Sequence, residues 1–248
     1  MKKKYKLTIQ YEGTDYSGWQ VQPDATTIQE TIEQVLEKFL QEPQRIIGAG
    51  RTDSGVHALG QVAHFTTERE LDQRIFLKSA NGLLPHEIRI THIEEVPESF
   101  HAQKSAKKKI YHYHLYLDPV QSPFKRRTTT LVRKKIDLEL LKKAASEFVG
   151  THDFTSFANS AHEGAASKSA VRTIYRLDVV PEEGGIRLEF EGSGFLYKMV
   201  RNITGMLIDV SSGRRPLSDI QKVLAAKDRR EASRAAPATG LFLVEIFY

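Results

Sequence analysis

The stretch GAGRTDSGVHALGQVAHF, Gly48 to Phe65, strands one carboxylate, Asp53, between an arginine and a glycine turn. The apolar pair Ile46 and Ile47 precedes it, followed by the small residues Gly48, Ala49 and Gly50, so Asp53 is expected in a loop where a strand ends. Gly50 and Gly55 permit positive φ and close approach of the backbone to a partner. Arg51, two residues before the carboxylate, favours its charged form. An ionised, positioned carboxylate serves as a nucleophile or general base. By spacing alone, the same residues equally fit a polar turn closed by an Asx-type hydrogen bond.

Outward from this loop the chain reads as α+β, with strand signals in runs rather than in regular alternation with helices. Tyr5, Leu7, Ile9 and Tyr11 alternate with polar residues, the period-two mark of a half-buried strand. Thr27 and Glu30 form a capping box before Ile28, Ile32, Val35, Leu36 and Phe39, which share one helical face. The pattern predicts strands over 45–49, 61–66 and 88–96 and a helix over 72–81. In the second half it predicts a strand over 109–117 and a helix over 138–148 that Gly150 terminates. A hairpin of 171–180 and 186–191 follows, around Pro181-Glu-Glu-Gly-Gly. Helices over 195–211 and 218–226 and a strand over 241–247 complete the reading. Two α+β halves of similar plan emerge, without a true sequence repeat. They are expected to meet near 98–108, giving domains 1–103 and 104–248.

At 248 residues the chain can bury a substantial core. It has no cysteine, so neither disulfides nor thiolate chemistry contribute, and a cytoplasmic location is expected. The opening MKKKYKLTIQY has no apolar core of the signal-peptide kind, and no later apolar run is long enough to span a bilayer. Net charge is +5, in the range of a domain that holds a polyanion. Lys104, Lys107, Lys108, Lys109, Lys125, Arg126, Arg127, Arg133, Lys134 and Lys135 crowd one third of the chain, with Asp118 the only acid among them. Tyrosines interleaved in KKKIYHYHLY favour phosphate contact over a merely solvated face. Arg214, Arg215, Lys227, Arg229, Arg230 and Arg234 form a second basic region.

Arg201 interrupts a helical pattern whose other face, Leu196, Val200, Ile203, Leu207 and Val210, is apolar. A charge there requires a partner or an escape to solvent. Tyr111 lies on the predicted 109–117 strand in phase with Tyr113, Leu115 and Leu117, which by pattern alone makes it a core aromatic. His57 and His64 lie near Asp53, but no cluster has zinc-site spacing. His92, His101, His112, His114, His152 and His162 form no better constellation. No P-loop, GxGxxG loop or GxSxG elbow is present, so no metal and no nucleotide cofactor is expected.

GRTDSGVHA resembles the catalytic motif of the TruA-type pseudouridine synthases, which modify transfer RNA. YEGTDYSGWQVQP, KKIYHYHLY, THDFTSF, GFLYKMVRNITG and GLFLVEIFY resemble that family's other blocks, in its order, so the resemblance spans essentially the whole chain. Ser54 stands where many relatives carry lysine, and 160–169 looks locally variable.

The resemblance implies a pseudouridine synthase fold, two sheet-and-helix halves flanking a basic active-site cleft. It implies isomerisation of uridine to pseudouridine at positions 38, 39 and 40 of the tRNA anticodon stem-loop, by base flipping and an Asp53 nucleophile. Arg201 then pairs with Asp53, Tyr111 stacks on the target base, and Arg51 occupies the vacated space or contacts phosphate. A homodimer without a cofactor is expected. The alternatives are a noncatalytic RNA-binding protein, in which Asp53 only shapes a loop, and a hydrolase that uses Asp53 to activate water.

Overall fold

The computed structural model describes residues 2–159 and 169–248. Along the chain run β1 (Lys3–Tyr11), α1 (Ile28–Leu40), β2 (Ile47–Gly48), β3 (His57–Thr67), α2 (Gln73–Leu83), β4 (Ile88–Val96), β5 (Lys108–Tyr116) and β6 (Thr130–Leu131). They are followed by α3 (Leu138–Ser146), β7 (Gly150–Asp153), β8 (Val171–Glu182), β9 (Gly185–Gly192), α4 (Met199–Ser211), α5 (Asp219–Ala226) and β10 (Leu241–Phe247). The chain divides into two compact units, Met1–Lys107 with Phe242–Tyr248, and Lys108–Leu241. The stretch 160–168, most of the segment expected to vary, and His162 within it, lie outside the described residues.

In the first unit the strand order is β4-β1-β3-β10, with β2 beside β3. β1 runs antiparallel to both neighbours, and β10 runs parallel to β3. Its alternation is realised as expected: Tyr5, Leu7, Ile9 and Tyr11 are buried. Thr27 Oγ1 accepts from Glu30 N and starts α1, while Asp72 caps α2 through Ile75 N. Phe39 sits at the edge of the α1 face and meets Phe76 of α2 edge-on at 5.3 Å. The strand expected over 45–49 shrinks to Ile47–Gly48 because the Ile46 N–H is taken by Glu33 Oε1 at 2.9 Å.

In the second unit the order is β5-β9-β8-β7, with β6 parallel to β5. The β8–β9 hairpin is longer than expected and turns at Glu183-Gly184, so Pro181 lies inside β8, opposite Ile186. The β7 ladder ends at Ile174, which leaves Pro181 clear of it, where a missing N–H costs no β7 bond. Ile186, Leu188 and Phe190 of β9 are buried, as are Tyr111, Tyr113 and Leu115 of β5. Helix α3 packs on α4 and β8.

Two expected helix boundaries are corrected. Gly150 does not cap α3, which ends at Ser146; it opens β7 with φ of 115°. Helix α4 starts at Met199 rather than 195, because Lys198 adopts a left-handed conformation (φ 59°). Leu196 therefore belongs to the approach to α4 rather than to its apolar face, and Phe195 is turned edge-on to Tyr111 at 5.1 Å.

Candidate active site

Asp53 sits half-buried on the loop between β2 and β3, and the 11–19 segment braces that loop along most of its length. Tyr11 Oη and Thr52 Oγ1 are 2.8 Å apart, and Trp19 N donates to Thr52 O at 3.1 Å. Tyr16 O accepts from Ser54 Oγ at 3.1 Å and from Gly55 N at 3.3 Å, while Val56 N closes the turn on Asp53 O at 3.2 Å. Gln61, fully buried on β3, donates from Nε2 to Gly50 O at 2.9 Å. Burial raises the Tyr11 phenol well above its ordinary pKa, so it remains a neutral hydrogen-bonding group.

Gly18 is the tightest point of this brace. Its φ is 88°, and a Cβ there would stand 2.6 Å from Thr52 O. Of the two loop glycines expected to need positive φ, Gly55 does (77°), while Gly50 is absent from the positive-φ residues. Arg51 is exposed beside the loop.

His57 and His64 both serve the backbone. His57 Nδ1 accepts from Gly13 N at 3.1 Å, and its ring stacks on Phe242 at 4.5 Å. Glu12 Oε1 lies 3.5 Å from the same nitrogen, but an Nδ1 that accepts an N–H carries no proton, so this is no ion pair. His64 Nδ1 accepts from Ala102 N at 3.2 Å. Burial, helped by the neighbouring His101, pushes the His64 pKa down to about 4. Among the described residues no group of three His, Asp or Glu side chains is arranged to hold a metal ion.

In the second unit, Tyr111 is buried on β5 and Arg201 is half-buried on the first turn of α4. Arg201 Nε donates to Ala236 O at 2.8 Å, and Ala236 N donates back to Arg201 O at 2.9 Å. One turn further along α4, a Cβ on Gly205 would lie 1.9 Å from Arg234 O, so only glycine lets the 234–236 segment approach so closely. Tyr113, in phase with Tyr111, is structural: its hydroxyl donates to Pro237 O at 2.6 Å and lies 2.8 Å from Thr130 Oγ1. Asn202, fully buried beside Arg201, donates to Phe157 O at 2.7 Å and accepts from Arg229 at 2.8 Å.

The family description "tRNA pseudouridine synthase" matches residues 7–103 and 144–248. The chain is 56% identical over 245 residues to tRNA pseudouridine synthase A 1 of Protochlamydia amoebophila, covering 98% of this chain and 96% of that protein. The chain belongs to the tRNA pseudouridine synthase family. It is also 45% identical to tRNA pseudouridine synthase A of Ruminiclostridium cellulolyticum, over 99% of this chain and all of that protein. The synthase of Limosilactobacillus reuteri is 42% identical over 99% of this chain and 96% of its own length. Arg51, Asp53 and Arg201 fall inside the two family-matched blocks, and Tyr111 and the first basic run fall between them.

The basic regions are less uniformly available than their sequence suggests. Lys108 pairs with Glu191 at 2.9 Å, Lys125 with Glu183 at 2.9 Å and Lys134 with Asp209 at 3.2 Å. Lys109 is half-buried, and desolvation reinforced by Arg172 lowers its pKa to about 8. Lys104, Lys107, Arg126, Arg133 and Lys135 remain exposed. In the second region Arg215, Lys227 and Arg230 pair with Asp219, Asp153 and Asp228.

No periodicity in the sequence marks the bracing residues Tyr16, Gly18, Trp19 and Gln61 or the Asn202 hub. One signal was present: Gln61 is a polar residue within the apolar run of β3, and a buried amide there must have a partner.

Proposed function

We propose that this chain, an isomerase of the tRNA pseudouridine synthase family, converts uridine to pseudouridine at positions 38, 39 and 40 of the anticodon stem-loop. Asp53 acts as the nucleophile toward a flipped-out nucleotide. The observation that supports this most is the braced loop, which fixes one carboxylate within the matched sequence while leaving it only half-buried. The C1′–N1 bond breaks, the uracil turns, C1′ joins C5, the C5 proton leaves to water and N1 gains one. The formula is unchanged, so the balance calls for no energy source, reductant or metal.

Arg201 is the charge partner of Asp53, Tyr111 stacks on the base, and Arg51 occupies the vacated space or contacts phosphate as the base leaves. Residues 1–103 supply the aspartate loop, and 104–248 supply the tyrosine strand and the arginine helix. The enzyme works as a cytoplasmic homodimer. Among the described residues no helix is long and apolar enough to cross a membrane.

The test is tritium release from unmodified tRNA labelled at uridine C5, with Asp53→Ala as control. Release with an intact strand and no free uracil, abolished in the variant, is expected. Tight binding without release by the unaltered protein moves the reading to a noncatalytic RNA binder; strand cleavage or free base moves it to a hydrolase.

A further inference from the structure

We propose that a cavity of about 530 Å³ in the second unit, lined by Lys134, Gly205, Asp209, Arg214, Arg234 and Ala236, binds a phosphate group of the RNA backbone. The inference rests on the tRNA reading above and adds a subsite to it.

Three cations and one carboxylate line this cavity. Asp209 Oδ1 receives Lys134 Nζ at 3.2 Å and Arg214 Nη1 at 3.1 Å. Burial alone would raise the Asp209 carboxyl, but hydrogen bonds from Ser233 and Lys134 hold it below the usual carboxylate range. Asp209 is therefore ionised at neutral pH and holds two cationic heads against the cavity wall. Arg234 is exposed at the same cavity and makes no ion pair with any described residue. The local surplus is two positive charges, in contrast to Arg215, Lys227 and Arg230, each of which has its own carboxylate.

Two guanidinium groups and an ammonium, presorted around one cavity, suit the oxygens of a phosphate better than a single planar carboxylate. The backbone under them is fixed. Arg214 N and Arg215 N both donate to Asp209 O, at 2.9 and 3.2 Å, which closes the turn after α4. Gly205 holds Arg234 O against the helix. Ala236 lines the same cavity and accepts from Arg201 Nε, so a phosphate seated here touches the segment that positions Arg201.

The same chemistry fits a phosphodiester of RNA or free inorganic phosphate, and one experiment separates them. The Kd for unmodified tRNA is measured across salt concentrations for the native protein, Arg234→Gln, Lys134→Gln and the control Lys222→Gln, an exposed lysine on α5 away from the cavity. Tritium release is followed in parallel. With a backbone phosphate bound, Arg234→Gln weakens tRNA binding about threefold at low salt and reduces the slope of log Kd against log salt by about one, with KM raised and kcat kept. Lys222→Gln changes neither. An unchanged tRNA slope, together with loss in Arg234→Gln of thermal stabilisation by inorganic phosphate at matched ionic strength, assigns the pocket to free phosphate and overturns the backbone assignment. If neither readout responds, the phosphate site itself is overturned. Normal tritium release by the native protein in that case leaves the synthase reading standing; a changed slope without any release removes the synthase reading and keeps the site.

Discussion

Asp53 and Arg201 are held in place by opposite means. Asp53 lies on irregular chain, and hydrogen bonds to the backbone of Gly50, Thr52, Asp53, Gly55 and Val56, with two more through the Thr52 and Ser54 side chains, fix the loop. Arg201 lies on a regular helix and exchanges a reciprocal pair of bonds with Ala236. A loop has no repeating ladder to satisfy its backbone, so each N–H and C=O requires its own partner; a helix supplies these by default. The aspartate loop therefore depends on residues distant in sequence, whereas the arginine depends chiefly on its own helix and one passing segment.

The largest effects are expected from the two charged groups themselves. Asp53→Asn should reduce kcat on the order of a thousandfold or more, and Arg201→Gln on the order of a hundredfold, with the fold unchanged by circular dichroism. Arg201→Lys keeps the charge but not the planar fork, and should recover only part of the loss. Single-turnover tritium release reads all three. Full recovery by lysine would mean that Arg201 acts as a bare charge and that its seating on Ala236 is immaterial.

Next come the supports, one for each region. Gly18→Ala forces a Cβ to within 2.6 Å of Thr52 O at φ 88°, and should cost about 2–4 kcal/mol of stability and lower kcat as well. Asn202→Ala strips a fully buried hub that bonds Phe157 O, Asn159 and Arg229, and should cost about 2–3 kcal/mol with a smaller effect on kcat, because α4 persists without it. Urea titration gives the stabilities. If Asn202→Ala slows turnover more than Gly18→Ala at equal loss of stability, the contrast between braced loop and self-sufficient helix is broken.

The same contrast governs what was legible in the sequence. The strands 88–96 and 241–247 and the cap Thr27 follow from local periodicity and end chemistry, and the structure has them where the pattern put them. The start of α4 departs from the apolar spacing because the left-handed turn at Lys198 breaks the helix without glycine or proline, and the spacing simply runs across it. Asp53 was legible as a stranded carboxylate, but its brace was not. Gly18 and Trp19 act on Thr52 from more than thirty residues away, and no periodicity reports a contact of that range. The approach of Ala236 to Arg201 is hidden in the same way.

The smallest expected effect comes from acid, and it acts on both units. His64 on β3 and His112 on β5 each have a pKa near 4 rather than 6.5, chiefly because burial penalises the imidazolium; at His112 Glu189 works against that shift. Their folded-state values lie below the unfolded one, so the unfolded chain binds more protons between pH 6.5 and 4. The stability they contribute is fully present above pH 6.5 and is lost as the pH falls through that window. At pH 5.5 the loss relative to pH 8 should be about 1 kcal/mol for each histidine, measurable as a lower urea midpoint. His64→Leu leaves Ala102 N–H without its acceptor and so is weaker at every pH, but it should lose less than the native protein on going from pH 8 to 5.5. An unchanged pH dependence in that variant would show that His64 protonates without disturbing the backbone it supports, and would shift the acid sensitivity toward β5.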